Sequence, residues 1–177
     1  LNTIAEMNHL EEESNRLFID AYGLQEELNP EVPIEKITLT VNPAYRYGIK
    51  ISEAEREVRF QSDTMAELVS YSIGCMMGRY SLDAPGLIYA HSGNEAFDAG
   101  SYVTFPADDD GIIPLTDQEW FADDATNRFR EFVRVAWDEE HLQENLDFVA
   151  ESLCLYAIKP KRGESSLETI RRYLSTQ

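Results

Sequence analysis

Apolar residues recur at helical spacing in several separate stretches of the chain. The first stretch covers residues 4–22, where the polar run "EEES" at 11–14 faces outward and Gly23 follows at the place where a helix would end. This pattern predicts an amphipathic helix. Its expected inward positions are Ile4, Met7, Leu10, Leu17, Phe18, Ala21 and Tyr22.

The strongest helical pattern begins at Asp63 or Thr64, with Ser62 or Asp63 as its cap, and continues to Tyr80. Gly74 and Gly78 are four residues apart, so they share one face, where a neighbouring helix or the following loop can approach the backbone closely. We expect the apolar face, with its three methionines, to lie in the core. That face is formed by Met65, Leu68, Val69, Ser72, Ile73, Met76, Met77 and Tyr80.

The C-terminal third repeats the helical pattern. A helix capped by Thr116 or Asp117 is predicted to reach Trp137, and a second helix follows within residues 138–156. The short connection between them predicts an antiparallel hairpin. A polar break at 159–166 then precedes a last helix that starts at Leu167.

Between these helices the pattern is irregular. Residues 34–41, "IEKITLTV", form the best candidate strand. Residues 81–116 contain four glycines and only short apolar runs, which predicts loops with one or two short strands. The expected fold class is therefore mainly α, a helical module with long irregular loops and one or two short β-strands.

The composition is that of a globular protein, with 43% hydrophobic residues in 177. Cys75 and Cys154 both lie in apolar helical patterns, which predicts buried thiols without a disulfide and a cytoplasmic location. The sequence has no signal-peptide pattern and no apolar run long enough to span a bilayer. It also lacks an initiating methionine and enters a helical pattern at once, which suggests a piece of a longer protein.

The net charge of −18 is the most unusual bulk property. A surface of that sign repels phosphate, which argues against nucleic acid as a partner for most of it. The charge is uneven, because the middle of the chain is strongly acidic whereas five of the seven charged residues after Ser152 are basic.

The stretch "VNPAYRYG" at 41–48 is close to the Asn-Pro-Pro-Tyr motif of amino-group DNA methyltransferases, in which Asn and a backbone carbonyl hold the target amino group. Ala44 replaces the second proline, which loosens the backbone where rigid carbonyl placement matters. The stretch is therefore interpreted as a strand ending in an Asn-Pro turn, with Tyr45 and Tyr47 packing nearby.

The other candidate motifs are incomplete. Asp108, Asp110 and Glu119 fall at positions 1, 3 and 12 of a calcium loop, but Ile113 occupies the required glycine position. None of His9, His91 and His141 has zinc-ligand spacing. No glycine-rich turn suited to S-adenosylmethionine is present, since Gly86, Gly93 and Gly100 are widely spaced.

Several unusual strings resemble one family. They are "LFIDAYGLQEEL", "ITLTVNPAYRYG", "ELVSYSIGCMMGRYSLDAPGLIYA", "FPADDDGIIPLTDQEWFADDATNRFREFV", "EEHLQENLDFVAESL" and "IRRYL". Together they resemble a region of the PglX adenine-specific DNA methyltransferases of BREX, or bacteriophage exclusion, defence systems. The resemblance covers most of the chain.

The resemblance implies that the catalytic Asn-Pro-Pro-Tyr motif and the S-adenosylmethionine site lie upstream, and that a target-recognition part lies downstream. Residues 1–177 would then be a single helical connector, inactive alone, with 159–177 starting a basic segment that leads to the next domain. No catalytic, cofactor-binding or metal-binding residue is carried over. The implied partners are the flanking domains, DNA through the parent enzyme and other BREX proteins.

Seven basic residues are the reasonable candidates for contacts with DNA phosphates: Arg46, Arg79, Lys159, Lys161, Arg162, Arg171 and Arg172. Two alternatives to the connector remain open at this point. One is a free-standing acidic interaction protein that mimics DNA, and the other is a small metal-binding protein around residues 108–110.

Overall fold

A computed structural model describes residues 2–90 and 97–176 of the chain. His91 and Gly93 lie outside the described residues. Within the described part the fold is mainly α, as predicted. The six α-helices are α1 (Asn2–Tyr22), α2 (Pro43–Tyr47), α3 (Glu53–Met76), α4 (Ala125–Ala136), α5 (Leu142–Tyr156) and α6 (Ser166–Leu174).

The chain divides into two compact units, Leu1–Phe60 and Gln61–Gln177, and the division falls inside α3. The first unit contains α1, a short 3-10 turn at Ile34–Lys36 and α2. The second contains α4, α5 and α6, which pack on one another around a shared core.

The helix α1 is confirmed, and Gly23 ends it with a φ of +69°, a backbone conformation that favours glycine. The predicted burial of its apolar face is wrong. Only Ile19 is buried, whereas Leu17 is 67% exposed and Tyr22 is 75% exposed. The helix instead attaches to its unit through polar side chains, since Asn8 donates to the Val32 carbonyl at 2.8 Å and Asn15 donates to the Pro30 carbonyl at 3.1 Å.

The helix α3 begins ten residues before the predicted start at Asp63. Ser52 caps it, because the Ser52 hydroxyl accepts a hydrogen bond from the Glu55 amide at 3.2 Å. The predicted cap Ser62 therefore lies inside the helix, where its hydroxyl accepts from the Ala157 amide just after α5. Met65 and Met76 are buried as predicted, but Met77 is 43% exposed.

Gly74 has the close approach predicted for it. A Cβ atom at this position would lie 2.5 Å from the ring of Tyr80, so the loop after α3 packs directly on the helix backbone. The same loop is held by Tyr102, whose hydroxyl donates to the Gly78 carbonyl at 2.6 Å.

The core of the second unit is built from α3, α4, α5, α6 and the loop residue Phe105. Phe105 is 1% exposed and its ring meets Phe132 edge-on, with the ring centroids 5.5 Å apart. The long segment between α3 and α4 is therefore packed, although it has little regular structure. The fully buried side chains of this core include Val69, Met76, Phe105, Phe129, Val133, Leu146, Val149, Leu153 and Ile170.

The predicted hairpin of α4 and α5 is present: residues 137–141 join the two helices, which pack together. The predicted start of α4 at Thr116 or Asp117 is wrong. The helix begins at Ala125, capped by Asp124, whose carboxylate accepts from the Asn127 amide at 2.9 Å. The last helix, α6, has a complete capping box between Ser165 and Glu168.

The predicted strands are wrong for the described residues, none of which forms a strand. In "ITLT", Ile37 is fully buried, but the Leu39 amide donates to the Ile37 carbonyl at 2.8 Å and the Asn42 amide donates to the Leu39 carbonyl at 2.9 Å. These local turns use the backbone groups that a neighbouring strand would need.

Cys75 and Cys154 are free thiols, as predicted, and burial raises the pKa of each above its ordinary value. Cys75 is 1% exposed and Cys154 is half-buried. In the described part of the chain, no helix is both long enough and apolar enough to cross a bilayer.

Candidate functional site

The methyltransferase-like stretch at 41–48 forms a capped helix. Asn42 is 2% exposed and precedes α2, and its side-chain oxygen accepts a hydrogen bond from the Ala44 amide at 3.1 Å. Its side-chain nitrogen donates to the Ile34 carbonyl at 2.7 Å and to the Ile37 carbonyl at 2.9 Å. Both N–H donors of the amide are therefore used inside the fold.

This geometry differs from a clamp for a flipped base. A clamp needs an asparagine oxygen that is open to the target amino group, whereas the Asn42 oxygen is buried and accepts from the Ala44 amide. The expected Asn-Pro turn is thus a helix N-cap followed by one turn of helix, which Gly48 ends at a φ of +74°.

The two tyrosines of this stretch differ in environment. Tyr47 is half-buried, and the Arg46 guanidinium lies 5.6 Å from the centroid of its ring. Tyr45 is 46% exposed, so the predicted packing is wrong for Tyr45.

Three of the seven basic candidates lie together on an exposed segment. Lys159, Lys161 and Arg162 are all exposed in the connection between α5 and α6, which also contains Gly163 at a φ of +82°. We call residues 159–163 the basic link. It carries three exposed positive charges within four residues of an otherwise acidic unit.

Arg79 lies elsewhere in the second unit, just after α3. It is exposed and borders an open cavity of about 650 Å³, which is also lined by Tyr80, Tyr89 and Asp110. Arg46 belongs to the first unit. The structure therefore brings together only part of the predicted set of phosphate contacts.

Arg171 is a correction to that set. It is 8% exposed and forms an ion pair with Asp124, which is fully buried. The same guanidinium donates to the Gln118 carbonyl at 3.2 Å. A buried arginine with these partners holds α6 against the start of α4, and it is not placed to contact a phosphate.

Arg172 is also matched by a carboxylate. Its guanidinium donates to Glu164 in a two-pronged arrangement, with nitrogen to oxygen distances of 2.8 and 2.7 Å, and to the Lys159 carbonyl at 3.1 Å. The hydrogen bond from Arg172 lowers the pKa of Glu164, and the bond to Glu164 raises the pKa of Arg172. A phosphate would have to compete with Glu164 for this side chain.

The acidic residues proposed for a calcium loop form ordinary turns. The Asp108 carboxylate accepts from the amides of Asp110 and Ile112, both at 3.2 Å, and Asp110 accepts from the Ile112 amide at 2.8 Å. Within the described residues, these side chains do not join a group of three or more potential ligands at metal-binding distances.

One cluster missed by sequence reasoning lies at the start of α5. Potential ligand atoms of Asp138, Glu140 and His141 lie within 4.8 Å of one another, and all three residues are exposed. Asp138 accepts from the Glu140 amide at 2.8 Å and pairs with the His141 ring at 3.0 Å. The hydrogen bond to Asp138 raises the pKa of His141, which favours the protonated ring over the neutral form that a metal needs.

The described part of the chain is therefore a mainly helical region in which the methyltransferase-like asparagine is a buried helix cap and only three of the seven basic candidates share one exposed segment. No family model matches the chain.

The chain is similar to two curated proteins. Over 147 residues it is 65% identical to the adenine-specific methyltransferase BrxX of Escherichia coli O9:H4 (strain HS), a match that covers 81% of the chain. Over 166 residues it is 42% identical to the adenine-specific methyltransferase PglX of Lacticaseibacillus casei (strain Zhang), with 93% of the chain covered. The resemblance to the PglX family is confirmed, and the match spans 12% of the length of each relative.

Proposed function

We propose that this chain is a connector region of a longer adenine-specific DNA methyltransferase of the bacteriophage exclusion type, positioned between catalytic and target-recognition parts. The observation that carries the proposal is the 65% identity to BrxX over a segment that spans only 12% of it. The longer enzyme would transfer a methyl group from S-adenosylmethionine to the adenine amino group, with both substrates bound outside this region.

The role of Asn42 supports a connector without catalysis. The residue that looks like a catalytic asparagine makes three hydrogen bonds within its own unit and is closed to solvent. Its chemistry is used to fix the backbone between the 3-10 turn and α2. No other residue of the stretch can replace its amide oxygen, because Tyr45 and Tyr47 offer only phenol groups.

The charge of the region also supports a spacer. With a net charge of −18, most of its surface repels the DNA backbone, which suits a segment that sets the distance between DNA-gripping parts without lying on the duplex. The packed core of the second unit gives such a segment a fixed length.

Where this region meets DNA, the basic link is the part suited to the contact. Lys159, Lys161 and Arg162 are exposed and clustered. Replacing all three with glutamine in the longer enzyme should weaken DNA binding equally on specific and unrelated sequences, and should reduce the salt dependence by about 2 to 3 units of log slope. Replacing Arg171 should instead destabilise the fold.

A first test of the connector role is calorimetric titration of the 177-residue chain with S-adenosylmethionine, together with a methyl-transfer assay on DNA. We expect neither binding nor transfer up to millimolar cofactor. Binding at micromolar cofactor would refute the proposal, because it would place a cofactor site in this region. A reading frame confined to these residues would also refute it and would favour the acidic interaction protein.

A further inference from the structure

The first helix presents an apolar face to solvent. Leu10, Leu17, Phe18 and Tyr22 are 53%, 67%, 63% and 75% exposed, and Ala21 between them is exposed as well. We call these five residues the α1 outer face. At 100° per residue they fall within about 140° of arc, which is the width of an apolar stripe that normally packs on a core.

The adjoining side of α1 already has its partners. Asn8, Asn15 and Glu12 bond to the backbone at Pro30 and Val32, and Ile19 is the buried apolar residue on that side. The helix is therefore anchored through its polar residues, and most of the α1 outer face stays exposed to solvent. This is the reverse of the usual arrangement, and contiguous exposed apolar surface of this kind marks an interaction site.

A notch adjoins the C-terminal end of the α1 outer face. It is an apolar cavity of about 270 Å³, lined mainly by Phe18, Ile19, Tyr22, Leu24 and Leu28. Its size suits one large apolar side chain from a partner. At protein interfaces, the side chains that contribute most to binding commonly fill a pocket of this kind.

The acidic residues that border the α1 outer face favour one kind of partner over another. One edge of α1 carries Glu6, Glu13 and Asp20, and the turn that follows carries Glu26 and Glu27. An acidic rim is repelled by anionic lipid headgroups, so a membrane surface is disfavoured. A protein surface with apolar side chains at its centre and lysine or arginine at its edge is complementary.

We propose that the α1 outer face docks onto another part of the same longer polypeptide, which inserts a large apolar side chain into the notch. The proposal rests on the proposed function, because it takes the occupant from the polypeptide outside the matched region. The part outside the matched region makes up 88% of the length of each relative, because the match covers 12%. Docking would fix α1 to its neighbour and so help to set the spacing that the connector provides.

The test is hydroxyl-radical footprinting of the full-length polypeptide that carries this chain, with the urea-unfolded protein as reference. We expect oxidation of Phe18 and Tyr22 to slow at least tenfold on folding, whereas a face left in solvent would slow by less than about twofold. His9 lies on the polar side of the same helix and is exposed, so it should keep its rate. Full rates at Phe18 and Tyr22 would overturn the proposal.

A substitution arm separates docking from helix stability. In the full-length polypeptide, Leu17→Glu with Phe18→Glu should lower the melting temperature and restore the oxidation rate of Tyr22 to its unfolded value. The matched control His9→Glu adds the same kind of charge to the polar side and should change neither. An unchanged Tyr22 rate in the double variant would overturn the docking.

Two further outcomes would show that a second copy covers the face, or that the docking proposal fails while the connector proposal holds. If sedimentation of the 177-residue chain shows a dimer that Leu17→Glu dissociates, a second copy covers the face and the proposal is wrong. If the face is unprotected in the full-length protein while the chain still fails to bind S-adenosylmethionine, the docking is wrong and the connector proposal stands.

Discussion

Replacing Asn42 with alanine tests whether the methyltransferase-like stretch is structural. The substitution removes the cap on α2, which costs about 1 kcal/mol, and two hydrogen bonds donated to backbone carbonyls, which cost about 1 kcal/mol each. Both carbonyls keep a hydrogen bond, because the Ile34 carbonyl still accepts from the Ile37 amide and the Ile37 carbonyl still accepts from the Leu39 amide. The expected loss is therefore about 3 kcal/mol of unfolding free energy, at the level of ordinary lost hydrogen bonds.

The assay is urea unfolding followed by two signals. Far-ultraviolet circular dichroism reports the helices of both units, whereas tryptophan fluorescence reports the second unit alone, since Trp120 and Trp137 both lie there. With a urea slope of about 1.5 kcal/mol per molar, the loss moves the part of the dichroism transition that belongs to the first unit by about 2 M. The fluorescence transition should move much less.

Two further variants sharpen this prediction. Asn42→Ser keeps an oxygen for the cap but loses both donors, so it should cost about 2 kcal/mol. Tyr45→Ala removes a side chain that is 46% exposed and should cost less than about 1 kcal/mol. The reasoning is refuted if Asn42→Ala unfolds at the same urea concentration as the wild type, or if Tyr45→Ala abolishes methylation by the full-length enzyme while its fold stays intact.

Three other measurements follow from the second unit. Arg171→Met should lower the unfolding free energy by about 3–5 kcal/mol because it leaves Asp124 charged and buried, and adding Asp124→Asn should recover part of that loss in a double-mutant cycle; no coupling would contradict the buried pair. The Arg172 hydrogen bond lowers the pKa of Glu164, so the stability from this group is present above the unfolded pKa of about 4.3 and is lost as the pH falls through the lower folded value. Glu164→Gln should flatten this part of the acid-unfolding curve, and an unchanged curve would contradict the assignment. Cys75 should react with a thiol reagent at least a hundredfold more slowly than in urea, because it is 1% exposed and burial raises its pKa; fast reaction in the native protein would contradict its place in the core.

The helices could be predicted where apolar periodicity and local caps agree. Residues 4–22, the hairpin of α4 and α5, and α6 all have the repeat of an amphipathic helix, and each is present. The early start of α3 carries a different signal. Residues 53–60 lack a clear apolar stripe, but six of the eight are glutamate, alanine or arginine, which are strong helix formers, and they follow the cap at Ser52. Intrinsic propensity, and not periodicity, therefore predicts this part of the helix.

The start of α4 could not be predicted from local sequence. Thr116 is a good cap residue, but the carbonyl of Gln118 accepts from Arg171, which is 53 residues further along the chain. This long-range bond holds residues 116–118 as a loop, and Asp124 provides the actual cap. Arg171 was predicted as a DNA contact because its ion-pair partner, Asp124, is distant in sequence although it is close in space.

The apolar face of α1 shows a different limit. Its pattern correctly predicts an amphipathic helix, but periodicity cannot say which surface will cover the stripe. In this chain the stripe is exposed because the residues that anchor α1 are Asn8, Glu12 and Asn15. The sequence likewise predicts a turn at Asn42 but not its helix cap, and the two bonds from Asn42 to residues 34 and 37 depend on the fold.

The most direct test of the connector role uses BrxX of Escherichia coli, in which the segment matched by this chain is replaced either by a flexible glycine-serine linker or by this chain. We predict that the linker variant binds S-adenosylmethionine with unchanged affinity but loses adenine methylation of cellular DNA at least tenfold, and that grafting this chain restores it. Full methylation with the linker, or loss of cofactor binding, would contradict the account.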